Sequence, residues 1–112
     1  MKASVIEDFS ALIGIDWADR KHDICELEVG SKNYDYKVIS SNPKTINQWA
    51  LDVKKRFPNK PVAVACELTK DPLIYALRQH KHLVLFSINS STVAKYRKAL
   101  HIAVRKMIQL IH

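Results

Sequence analysis

No aspartate or glutamate follows Asp71, so acid-dependent chemistry in this chain has to rest on carboxylates earlier in the sequence. Glycine is nearly absent, with two in 112 residues. That leaves no later Gly-rich loop to cradle a phosphate and argues against an actin-like phosphate-binding module, although such folds also open with an Asp-bearing hairpin. Two cysteines, Cys25 and Cys66, lie inside strand-like runs and read as small buried thiols of a reducing compartment, not as a disulfide framework. No apolar run approaches the roughly 18 residues of a spanning helix. The start, Met1 to Asp8, has acids ahead of the first apolar run and no small-residue cleavage pattern, so no secretory signal is expected. The histidines His22, His80, His82, His101 and His112 have no metal-ligand spacing with cysteine or acid, which excludes a zinc site. Repeats and low-complexity stretches are also missing.

What remains is ordinary globular usage, with 47% apolar and 26% charged residues in a length that suits one domain with one core. The charge is not ordinary. Eighteen Lys and Arg against eleven Asp and Glu give a formal net charge of +7, which favours polyanions through counterion release. Nucleic acid is the expected partner, with plain solubility as the alternative use of the same charge.

The chain is organised around Ala11 to Ala18, an apolar run that carries Asp16. Leu12, Gly14 and Asp16 alternate with Ile13, Ile15 and Trp17, and both sets are mostly apolar, as in a central strand. Asp19-Arg20-Lys21 reads as a turn. Asp23 to Val29 then reads as a half-exposed strand with Cys25, Leu27 and Val29 opposite Ile24, Glu26 and Glu28. Turn residues Gly30 to Asn33 lead into a third strand, Tyr34 to Ile39, completing an antiparallel meander.

The period then changes. Asn42-Pro43 is a cap-plus-proline helix start, and Ile46, Trp49, Ala50, Val53 and Phe57 form one apolar stripe. Lys54, Lys55 and Arg56 read as a solvated helix end that complements the dipole, with a binding patch as the alternative. Val62 to Cys66 is a strand covered on both faces, and Glu67 follows it directly. Asp71-Pro72 opens a second helix with Leu73, Ile74, Ala76, Leu77 and His80 inward. Leu83 to Ile88 is a fifth strand, and Val93, Tyr96, Arg97 and Leu100 mark a third helix. The pattern predicts an α/β domain, a mixed five-stranded sheet with strands 1 to 3 antiparallel and helices on its faces. If the fourth strand lies parallel beside the first, Asp16 and Glu67 meet at one carboxyl edge, where open α/β sheets put their sites.

Two carboxylates at neighbouring strand ends can hold Mg²⁺, which commonly takes one or two carboxylates with water and substrate phosphate. Metal-assisted phosphoryl transfer usually needs a metal pair and more acids than two. The bland alternative is a solvated strand end or a cap at each position.

Several motifs together resemble the N-terminal domain of the insertion-sequence-110 transposases, which are DEDD-type enzymes. They are Ile13-Gly14-Ile15-Asp16-Trp17-Ala18, Ala65-Cys66-Glu67-Leu68-Thr69 with Leu73 to Leu77, Leu83 to Phe86, and Tyr96-Arg97-Lys98-Ala99-Leu100. The likeness runs over about residues 11–101 of a single domain, leaving 102–112 as a divergent tail. It implies an RNase H-like, RuvC-like fold, and DNA transposition and recombination by metal-assisted phosphodiester transfer. It further implies Asp16 and Glu67 as catalytic Mg²⁺ ligands alongside two later aspartates. Members also carry a C-terminal domain with a catalytic serine and recombine DNA under a structured bridge RNA, so DNA, that RNA and a cytoplasmic, nucleoid-associated location are expected.

The family's next motif, a Lys followed shortly by Asp-x-x-Asp, should come just after Ala99-Leu100-His101. The chain instead reads Ile102 to His112 without an acid. Back-translation of the tail in a displaced frame forces Asp at the Met107–Ile108 junction and permits Lys-Asp-Asp-Pro-Thr-Asp across it. This leads to the hypothesis of a frameshift near His101 and of a truncated fragment inactive by itself. A fragment without catalysis that binds nucleic acid or interferes with an intact transposase is the alternative. In the tail, Val104, Met107 and Ile111 continue the helical spacing of Leu100, and the apolar end Met107 to Ile111 could drive self-association, as a homo-oligomer, or aggregation.

The remaining candidates are weaker. Lys70, Lys95, Arg97 and Lys98 fall near the carboxyl edge and could contact phosphates or serve solubility. Asp19 and Asp23 could approach Asp16 across the first turn, though turn acids are usually turn formers. Trp17 and Trp49 read as core residues in preference to base-stacking platforms.

Overall fold

The computed structural model of the chain describes residues 6–16, 20–66 and 71–87, with the side chains of 71–73 and 87 excepted. A short 3-10 turn, Ile6–Asp8, leads into β1 (Ala11–Asp16), β2 (Lys21–Glu28), β3 (Tyr34–Ser40), α1 (Pro43–Arg56), β4 (Val62–Cys66), α2 (Asp71–Arg78) and β5 (Leu83–Ser87). The sheet order is β3-β2-β1-β4-β5. β1 pairs antiparallel with β2 and parallel with β4, and β5 adds parallel to β4. This is the expected mixed sheet, with β1 in the middle.

β1 is central because neither face carries a polar side chain before Asp16. Ala11 through Ile15 are all buried, as is every residue of β4. Ala11, Ile13 and Ile15 join Ile24, Val62, Val64 and Cys66 beneath α1 and α2, where Ile46, Trp49, Val53, Ile74 and Leu77 close the layer. Both described helices therefore lie on one face of the sheet, not one on each. The opposite face is a second cluster of Leu12, Cys25, Leu27, Ala63 and Ala65 with Phe9. The third helix expected from Val93 onward lies outside the described residues.

Local signals account for the boundaries. The Asn42 side chain accepts from the Lys44 N–H at 2.9 Å, and Pro43 takes the first helical position, as the cap-plus-proline pattern requires. Ser31 N–H donates to the Glu28 carbonyl at 2.9 Å, and Gly30 sits at φ +95, a conformation that costs a residue with a Cβ. The β2–β3 turn therefore begins at Glu28, earlier than the run Gly30 to Asn33. β2 also begins earlier than expected, at Lys21.

The reading of β2 as half-exposed is corrected. Ile24, Cys25, Glu26 and Leu27 are all buried, because β3 flanks the strand and α1 lies across the Ile24–Glu26 face. The alternation in sequence is real, but the polar residue on the inner face is matched there and not exposed.

Two histidines tie the α2–β5 connection to α1. His80 Nε2 donates to Asn47 Oδ1 at 3.0 Å, and His82 Nε2 donates to the Ala50 carbonyl at 2.9 Å. Their rings meet edge-on with centroids 5.7 Å apart. His80 lies beyond the end of α2, and it is half-buried in a loop instead of continuing the helix's inner stripe.

Candidate active site

β1 delivers Asp16 to the carboxyl edge of the sheet, half-buried, after five buried residues. The antiparallel register sets Asp16 opposite Asp23 near the start of β2. Directly opposed residues project from the same side, and by alternation from Leu12 and Cys25 this is the face away from α1 and α2. Opposed Cβ atoms in such a pair stand about 4.5–5.5 Å apart, which puts the two acids side by side on that face. Asp23 is thus the turn-region acid that the hairpin brings to Asp16.

On the other side of β1, Gly14 lies opposite Ala65, two residues short of Asp16 on one strand and of Glu67 on the other. Glu67 itself lies outside the described residues, as do Trp17, Asp19, Lys70, Lys95, Arg97 and Lys98. Among the described residues, no group of three or more His, Cys, Asp or Glu side chains converges as a metal site. The opposed pair offers hard oxygen donors, the donor type that Mg²⁺ prefers and for which one or two carboxylates suffice.

The most highly connected charge lies elsewhere. Glu26 is 3% exposed on the helix-covered face of β2. Arg56 from the last turn of α1 grips it with two N–H groups, Nη1 to Oε1 at 2.7 Å and Nη2 to Oε2 at 3.2 Å. Trp49 Nε1 donates to Oε2 at 3.0 Å, and Lys37 Nζ lies 3.4 Å from Oε1. Burial pushes the Glu26 carboxyl up, but the bonds from Arg56 and Trp49 and the charges of Arg56 and Lys37 outweigh it and hold the group below its usual range. Every strong donor is already committed, so this cluster holds α1 to the sheet and leaves little room for a substrate.

Sequence reasoning missed this cluster. The available signal was the separation of Trp49 and Arg56 by seven residues, two helical turns, which puts both on one face of α1. Arg56, though exposed like Lys54 and Lys55, spends its guanidinium on Glu26 and Asp52. Trp49 is core, as expected, with its N–H spent on Glu26.

Both cysteines are free and buried. Burial raises the Cys25 thiol to about 11, with the neighbouring carboxylates of Glu26 and Asp35 adding to the effect and a bond with Tyr36 opposing it. Burial raises Cys66 to about 12, against a small opposing effect of Arg78. Neither is a nucleophile at neutral pH. A cleft of about 290 Å³ lined by Phe9, Ser10, Val29, Arg56, Phe57 and Lys60 opens at the amino edge, the end of the sheet away from Asp16. No helix among the described residues is long and apolar enough to cross a membrane. The sequence matches no protein-family model and no curated protein.

Proposed function

We propose that this chain is the RNase H-like, RuvC-like domain of a DNA transposase of the insertion-sequence-110 type, whose ancestral reaction is metal-assisted phosphodiester transfer on DNA. The observation that carries the reading is the position of β1 between antiparallel β2 and parallel β4, with Asp16 closing it at the carboxyl edge. The motifs over about residues 11–101 supply the family, and the net charge of +7 suits a polyanionic substrate.

In this reading Asp16 and Glu67, the acids that match the family motifs, are metal ligands. Asp23 is the nearest further carboxylate, on the same face of the sheet as Asp16. Bound Mg²⁺ would supply charge for activating an attacking oxygen and neutralising a leaving one. The protein's own part is to present Asp16 at the end of β1, at the carboxyl edge of the sheet. Residues 1–112 hold matches to two of the four family acids, and we expect no cutting or joining of DNA by this chain alone. The second reading is a nucleic-acid-binding or transposase-interfering fragment, which the net charge of +7 also suits.

Paramagnetic Mn²⁺ is the direct test. Titrated into the labelled chain, it is expected to broaden the amide signals around Asp16, Asp23 and Cys66 first, and Asp16→Asn is expected to abolish that selectivity. Broadening spread over all surface acids, or unchanged in Asp16→Asn, refutes the metal site.

A further inference from the structure

The outer surface of the helical layer is strongly cationic and takes no part in the Asp16 edge. α1 contributes Lys54 and Lys55 in its last turn, α2 ends on Arg78, and Lys81 lies just before β5, all four exposed. Both helices precede strands that run parallel to β1, so these ends gather at the amino edge of the sheet, away from Asp16.

The two histidine bonds make one surface of them. His80 and His82 anchor to Asn47 and Ala50 of α1, which draws Lys81 between them onto the α1 flank. Lys54 is close enough to His80 that, after desolvation and His82, its charge helps lower the imidazole's proton affinity. Asp52 is the sole acid of α1, and Arg56 Nε already holds it at 2.7 Å. Residues 74–82 contain no acid. Among the described residues, Lys54, Lys55, Arg78 and Lys81 make no ion pair, whereas Lys37 and Arg56 each make two.

We infer that this face, built on Lys54, Lys55, Arg78 and Lys81, is a docking surface for the phosphate backbone of duplex DNA, separate from the candidate metal edge. Clustered exposed cations with their counter-charges removed match a polyanion, and they read backbone position in preference to base sequence. Unstacked single strands ask for a row of exposed rings, and here Tyr75 is the one strongly exposed ring among the described residues. The choice of DNA as the duplex rests on the transposase reading; the charge pattern does not. A purely local role for these cations, complementing the negative helix ends, would make them indifferent to any nucleic acid.

The test is fluorescence anisotropy of a labelled random-sequence DNA duplex with the full chain, in buffer containing EDTA so that no metal site contributes. Lys54→Glu with Lys81→Glu is compared with Lys32→Glu with Lys44→Glu, two exposed lysines elsewhere whose reversal changes net charge equally. We expect the first pair to weaken binding at least about tenfold near 0.1 M salt and to flatten the log–log salt dependence by about 2, and the second to cost less than about threefold. The milder Lys54→Gln with Lys81→Gln should flatten the slope similarly, with circular dichroism unchanged. Equal losses in the two charge-reversed pairs, no binding by the parent chain, or tighter binding of structured RNA than of the duplex would each overturn the inference. Duplex binding is read in EDTA and the metal site by Mn²⁺ broadening without DNA, so loss of the metal reading and loss of this surface are separately visible.

Discussion

Replacing Glu26 by Gln tests whether the buried ion pair holds α1 to the sheet. The substitution keeps shape and one carbonyl oxygen for the Trp49 N–H, but it removes the charge that faces Arg56 and Lys37. Removing one partner of a fully buried pair costs about 3–5 kcal/mol. Arg56 is less constrained than that, since its side chain is 32% exposed and keeps Asp52, so it can turn to water. We therefore expect a loss of about 1–3 kcal/mol, which at a urea m-value of about 1.3 kcal/mol/M lowers the midpoint by about 1–2 M.

The pH dependence supplies an independent sign. The folded-state carboxyl of Glu26 is held below its ordinary value of 4.5, so its contribution is complete above that pH. As pH falls below 4.5 the unfolded chain takes up the proton first, and the contribution is lost as the folded carboxyl in turn protonates. The difference in stability between parent and variant should therefore shrink on acidification, as read from urea melts at a series of pH values. A variant within about 0.5 kcal/mol of the parent at neutral pH, with a parallel acid profile, would refute the reasoning, because surface substitutions stay in that range.

Two further outcomes follow from single residues. His22 is fully buried, and desolvation lowers its pKa from 6.5 against the opposing charge of Asp23. The unfolded chain thus binds its proton first, so stability falls as pH drops below 6.5, and His22→Gln should flatten that part of the profile in thermal melts even if it lowers stability throughout. Asn42→Ala removes the acceptor for the Lys44 N–H and should cost about 1 kcal/mol in the same urea assay, while Asn42→Asp should cost nearly nothing.

The parts of the fold that were legible in the sequence are those written in nearest-neighbour chemistry. The unbroken run Val62 to Cys66 is buried at every position, and the stripe Ile46, Trp49, Ala50 and Val53 is the inner face of α1. Such patterns are local because strand and helix periods repeat within a few residues. Asp16 at the end of β1 was legible for the same reason, since a charge that terminates an apolar run must lie at the strand's edge. Asp23 was not, because whether it faces Asp16 depends on where the hairpin turns, and a shift of one residue would send it to the other face.

Glu26 marks the boundary most clearly. Its sequence context, Cys25-Glu26-Leu27, is that of a residue on a solvated strand face, and alternation alone assigns it there. Burial came from an arginine thirty positions away that reaches it only once α1 has crossed the sheet. Among the described residues, the sequence by itself determined which segments become strands and helices and that β1 carries an acid to its end. The tertiary structure alone decided which charges are spent inside the protein, Glu26 on Arg56 and Trp49, and which remain outward, Lys54 and Lys81. The physical reason is that a charge's partner is set by through-space distance, which folding creates between residues remote in the chain.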